Sequence, residues 1–111
     1  MGQADFKYGS PDTVYYTPTV AVAAGDVIVT ADTTRIAHIP IAANILGALG
    51  ASGGVYQVAG DAAIAADKKV YWVDASNKVS ETAGANKVFG VTVTACTGNT
   101  ALCHVRHDPS A

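Results

Sequence analysis

The run Val70, Tyr71, Trp72 and Val73, closed by the turn formers DASNK at 74–78 and reopened at Val79, constrains this chain more than any other stretch. β-Branched and aromatic residues suit a pleated, half-buried surface. Beyond the polar residues 80–82, Gly84 and Asn86 make a second turn before Val88, Phe89, Val91 and Val93. Strand, turn, strand, turn, strand is the simplest account, an antiparallel meander. Successive strand side chains point to opposite faces, so Tyr71 and Trp72 cannot both enter one core. One fills the interior, and the other packs under a loop or against another subunit.

Extended structure accounts for most of what precedes this run. In residues 13–19 (TVYYTPT) Val14 and Tyr16 share one face and Tyr15 takes the other, while Pro18 confines the segment to an edge or a strand end. Residues 27–29 form a short apolar strand, and residues 35–39 another after the polar turn at 31–34. Ile36, Ile39, Ile41, Ile45, Leu46 and Leu49 fall at helical spacing. Against a helix stand Pro40 and the glycines at 47, 50, 53 and 54, each of which costs about 1 kcal/mol in a helix interior. Extended structure with bends is expected there, leading to a strand at 54–59 (GVYQVA). Residues 61–67 are the best helical candidate, one or two turns that would have to pack on the sheet to persist. Residues 88–95 and 101–106, joined by a turn at 97–100, read as a terminal hairpin.

The approach at 62–66, the lysine-flanked Val-Tyr-Trp strand, its acidic turn, the Lys-Val-Ser-Glu-Thr strand at 78–82 and Asn86-Lys87-Val88-Phe89-Gly90-Val91 together carry a resemblance. The pattern is similar to that of a family of tailed-phage and prophage capsid decoration, or cement, proteins, some of them labelled RecA/RadA recombinase. It runs from about residue 12 to residue 106. The resemblance implies a structural virion protein on the outer surface of the capsid head, made in the host cytoplasm, with the major capsid protein as partner and a homotrimer as its assembly state. The expected fold is all-β, a small antiparallel β-barrel with at most one short helix and an extended N-terminal arm. Residues 1–11 would be the flexible arm, 12–107 the barrel domain and 108–111 a C-terminal tail. In the arm, Phe6 and Tyr8 are either parts of a frayed terminus or anchors that dock on a neighbouring subunit or the capsid. Phe6, Tyr8, Tyr15 and Trp72 are the candidate capsid or subunit contacts.

Charge and chemistry narrow the alternatives. Nine acidic against seven basic residues leave a net charge of −2, and no basic cluster exceeds Lys68-Lys69. Nucleic-acid binders group Lys and Arg against phosphates, so no nucleic-acid partner is expected. No apolar run approaches the roughly 20 residues of a membrane helix, so no membrane partner is expected, and residues 1–12 lack the charged and apolar regions of a signal peptide. The recombinase label would need a glycine loop ending in Gly-Lys-Ser or Gly-Lys-Thr, and the chain contains no Gly-Lys pair. A serine hydrolase would need an exposed nucleophile with a base, and no such pair is evident. No enzyme activity, catalytic residue or cofactor is expected.

Cys96 and Cys103 flank the terminal hairpin. A two- or four-residue loop would place them on one face in diagonal positions, Cβ atoms about 7 to 8 Å apart; a three-residue loop would put them on opposite faces. A disulfide requires about 3.8 Å, so free buried thiols are expected, consistent with a reducing cytoplasm. Cys103, His104, His107 and His38 have the atom types of a zinc site, but adjacent strand residues diverge, and His104 and His107 read as surface histidines near a terminus. No metal is expected. Much of the hydrophobic half of the chain is alanine, with only three Leu, so the core is thin and oligomerisation would supply burial. The competing reading is a soluble β-barrel binding a small ligand or carbohydrate, which needs Trp72 or Tyr56 exposed in a polar-lined concavity.

Overall fold

A computed structural model describes residues 3–9, 11–30 and 33–110. Among these residues ten strands form, in order β1 (Asp5–Tyr8), β2 (Asp12–Tyr16), β3 (Val27–Val29), β4 (Thr34–Ala37), β5 (Gly47–Ser52), β6 (Val55–Ala59), β7 (Lys69–Val73), β8 (Lys78–Ser80), β9 (Lys87–Thr92) and β10 (Leu102–His107). No helix occurs among the described residues. All named pairings are antiparallel. The strands divide into a six-stranded sheet, β1-β6-β10-β9-β7-β8, and a four-stranded sheet, β2-β5-β4-β3.

The expected all-β class is therefore present, as a sandwich-like pair of sheets rather than one closed barrel. The larger sheet does curl: Gly60, just past β6, makes a parallel bridge to Val79 of β8 at the far edge. One bridge brings those elements together without a continuous ladder, and the four-stranded sheet stays separate.

Period-two alternation explains which residues the sheets bury. On β7, Val70 and Trp72 point inward while Lys69 and Tyr71 remain outside, with the Lys69 ammonium 5.6 Å from the centre of the Tyr71 ring. On β10, Cys103, Val105 and His107 share the inner face. These residues meet Val58, Tyr56, Val79 and Phe89 of the larger sheet and Val27 and Ile36 of the smaller one in a single core. A second cluster, Ala37, Ile41 and Leu49, lies against half-buried Val14, Tyr16, Val22 and Ile28. Burying one large apolar side chain contributes about 1.5 to 3 kcal/mol, so the first cluster dominates stability.

Turn chemistry sets the register of the central meander. The turn expected at 74–78 spans 74–77, Lys78 already belonging to β8, and it closes β7 onto β8 through Asn77, whose N–H donates to the Val73 carbonyl at 2.9 Å with φ of 56°; Asn tolerates that left-handed conformation better than most residues. At Gly90 the requirement is close approach rather than φ. A Cβ there would lie 1.8 Å from the Arg106 carbonyl oxygen, so only glycine lets β9 and β10 meet.

Three local expectations are corrected. Residues 61–67 are not helical, because Ile64 exchanges two backbone hydrogen bonds with Cys96, each 2.9 Å, and the Thr92 hydroxyl donates to the Ala65 carbonyl at 2.8 Å. These bonds hold the segment extended. Cys96 and Cys103 are not free: they form a disulfide with Cα atoms 4.9 Å apart. The geometry that argued against the bond assumed β9 ran on to residue 95, whereas β9 ends at Thr92 and Val93 and Thr94 both donate to the His104 carbonyl. The chain then loops back and sets Cys96 over the inner face of β10.

The third correction concerns the expected flexible arm, residues 1–11. Its residues 5–8 form β1, paired along β6. The Ala4 N–H donates to Gly25 at 2.8 Å and the Gln3 side chain accepts from the Val27 N–H at 2.9 Å. The segment therefore ties the two sheets together, because those bonds reach the smaller sheet while β1 belongs to the larger.

Candidate functional site

A chain of six rings crosses the molecule from its rim to its core. Phe6 on β1 stacks on His38, centroids 5.0 Å apart, and meets Tyr56 edge-on at 5.5 Å. Tyr56 meets His107 at 6.1 Å, His107 meets Phe89 at 5.2 Å, and Phe89 meets Trp72 at 5.5 Å. Offset and edge-to-face aromatic pairs contribute about 0.5 to 1.5 kcal/mol each beyond area burial. Two candidate contacts, Phe6 and Trp72, thus stand at opposite ends of one stack.

Polar links accompany the rings. His38 and Tyr56 share a hydrogen bond between Nε2 and the phenol hydroxyl. Burial lowers the His38 pKa and raises that of Tyr56, so both are neutral near pH 7. The Thr34 hydroxyl donates to the Val88 carbonyl at 3.0 Å, leaving its lone pairs for His107. His107 Nε2 lies 3.0 Å from both Thr34 Oγ1 and the Thr34 carbonyl. With two acceptors facing it, Nε2 carries the proton, and Nδ1 is a buried nitrogen without a hydrogen-bond partner. Burial, the largest influence, pushes the His107 pKa down to about 4; the Thr34 backbone and Asp108 oppose it, while Arg35 and His38 reinforce it.

This network was not anticipated: His107 is fully buried, and the expectation of two surface histidines fails for it. The signal was available in the alternation, since Cys103, Val105 and His107 are two apart on a strand whose other face carries Leu102, His104 and Arg106. Among the described residues no group of three His, Cys, Asp or Glu side chains is placed to hold a metal ion.

The four expected contact residues fall into two environments. Tyr15 is 83% exposed, Tyr8 54% and Phe6 42%, whereas Trp72 is 1% exposed and its indole N–H donates to Asp74 at 3.3 Å. Of Tyr71 and Trp72, Trp72 is therefore the core residue. Tyr56 is also fully buried, so neither ring that the ligand-binding alternative needed lines a concavity. The remaining exposed apolar residues concentrate on loops flanking β2 and β5. Val20, Ile39, Ile45 and Leu46 are all exposed, and their loops are tied by the Val22–Ile41 bridge and by the Asn44 N–H to the Pro18 carbonyl at 2.7 Å. Residues 13–25 and 36–60 contain no Asp, Glu, Lys or Arg. This end of the molecule offers apolar, uncharged surface.

A family model for phage cement proteins matches residues 9–107. The chain belongs to the phage cement protein family. No curated protein and no solved structure matches it. As a cement protein it is a structural component of a phage capsid, in a family of structural proteins and not of enzymes. The match spans nine of the ten strands entirely and leaves β1 outside.

Proposed function

We propose that this cement protein binds the outer surface of the assembled phage head as a homotrimer, bridging neighbouring major capsid subunits and stabilising the lattice. The family match over residues 9–107 carries the reading. The uncovered rings of Phe6, Tyr8 and Tyr15 support it, because apolar groups left outside a filled core contribute most when a partner covers them. Trp72 contributes from within, as the buried support of the sheet that presents the surface. Three protomers acting together would multiply a modest contact, since linked binding events reinforce each other. Contacts that exist only in the mature lattice would have to break before the lattice could expand under packaged-DNA pressure. The small net charge and a sequence with no basic run longer than Lys68-Lys69 fit the exterior, away from the genome.

Two measurements on purified protein test this. Light scattering is expected to give a mass three times that of the 11.2 kDa chain; a monomer at all concentrations would remove the preformed trimer. Mixing with heads assembled from the major capsid protein alone, then pelleting, is expected to saturate at a fixed copy number per head. Uptake that never saturates, or no uptake, would count against the head-binding role.

A further inference from the structure

Three of the four outer strands are blunted against recruiting another strand. β1 carries Asp5 and Lys7. β3 is three residues long and follows Asp26. The outer side of β8 is already met by the Gly60 bridge and by the Asp61 N–H, which donates to the Val79 carbonyl at 3.0 Å. Short length, charges and a covered edge are the devices that prevent edge-to-edge pairing.

β2 has one charge, the exposed Asp12 at its start, and no other such protection. Beyond the irregularity at Asp12/Thr13, residues 13–16 are Thr, Val, Tyr and Tyr, uncharged and strongly strand-forming, and β2 pairs only with β5. Tyr15 projects on one face as the most exposed large apolar side chain described. On the other face Val14 and Tyr16 lie half-buried against the second apolar cluster. A strand laid beside β2 would meet main-chain groups at the edge and apolar side chains on both faces.

We propose that β2 is a docking edge for an extended, uncharged segment of the major capsid protein, which adds as a fifth strand to the four-stranded sheet. The inference rests on the head-binding role and names the surface that performs it. Charge selects the occupant: residues 13–25 and 36–60 offer no counter-charge, so a charged segment would lose hydration there without compensation. Size argues against a second copy. Two β2 strands paired together engage about four residues a side, far below the roughly 20 to 30 a side of a stable interface. On a head, the same short strand is one contact among several for each bound protomer, and multivalency makes it count. Main-chain pairing supplies affinity, and the flanking side chains supply specificity.

The test uses the double variant Thr13→Lys/Tyr15→Lys, which places lysines at two exposed positions of β2 and leaves Val14 and Tyr16 in their cluster. A control, Thr97→Lys, adds a charge at an exposed loop position elsewhere. With unchanged thermal unfolding and solution mass, the β2 variant is expected to be taken up by heads of the major capsid protein roughly tenfold more weakly or worse, the control as wild type. Hydrogen exchange supplies a reading independent of mutation: amides of residues 13–16 should exchange roughly tenfold more slowly on head-bound than on free wild-type protein. Equal uptake of variant and wild type, or unchanged exchange at 13–16 on bound protein, overturns the docking edge while leaving head binding intact. Heads that take up no wild-type protein overturn both. A free wild-type oligomer that the β2 variant dissociates makes a second copy the occupant and overturns the capsid segment.

Discussion

His107 makes the folded protein acid-sensitive by an amount the structure allows to be worked out. Its ring is neutral in the fold, with Nε2–H facing Thr34 and Nδ1 buried without an acceptor, so protonation would place a new N–H where nothing receives it. The folded-state pKa is pushed to about 4, against 6.5 for a solvated histidine. Because the folded value is depressed, the unfolded chain takes the proton first. No stability is lost to this residue above about pH 6.5; the loss accumulates as pH falls and is complete below about pH 4. A difference of about 2.5 units at 1.36 kcal/mol each amounts to about 3 kcal/mol. The His38 pKa is lowered by burial as well and acts in the same direction.

The perturbation is His107→Gln, which keeps an N–H donor for Thr34 and cannot titrate. Urea unfolding of both proteins, repeated between about pH 7 and pH 4, gives two stability curves. The variant will be less stable at neutral pH because it lacks the ring contacts with Tyr56 and Phe89. The informative quantity is the slope, from which carboxylate titrations common to both proteins cancel. Wild type should lose about 3 kcal/mol more than the variant over that interval. Parallel curves would refute the buried, neutral histidine.

Other substitutions probe the rest of the framework. Gly90→Ala should cost roughly 3 kcal/mol or more by thermal unfolding, or prevent folding, since the new methyl meets the Arg106 carbonyl backbone. Trp72→Ala should cost about 3 to 5 kcal/mol, read as loss of the cooperative unfolding transition at growth temperature. Replacing both Cys96 and Cys103 by Ser should lower stability by about 2 to 3 kcal/mol, the loop-closure value for so short a crosslink; mass spectrometry with thiol alkylation, with and without reductant, checks that the bond was present.

The strands were readable because alternation and turn chemistry act locally. That Tyr71 and Trp72 take opposite faces, that Val14 and Tyr16 oppose Tyr15, and that a turn falls at Asn77 needed no more than neighbours two to four residues apart; which of Tyr71 and Trp72 faces the core did not follow from alternation and came from the fold. What alternation could not supply was where a strand stops. Had β9 been seen to end at Thr92, the Cys96–Cys103 pair would have been geometrically open to a disulfide. The same nonlocal bonds, from Cys96 to Ile64 and from Thr92 to Ala65, kept the alanine-rich residues 61–67 from coiling. Division into two sheets was equally hidden, because it depends on which strands find each other across the whole chain. In the candidate contact set, Phe6, Tyr8 and Tyr15 were legible as aromatics on polar or edge segments. The rim formed by Val20, Ile45 and Leu46 was not, since it exists only once two loops are tied together.

The most direct test of the account is the stability of the head itself. Heads assembled from the major capsid protein alone and heads saturated with this protein would be heated in a calorimeter, with loss of the shell followed by electron microscopy. The account predicts that decorated heads come apart at a higher temperature, and that the shift disappears when the bound protein is first stripped off. Identical disruption temperatures for bare and fully decorated heads would contradict a cementing role.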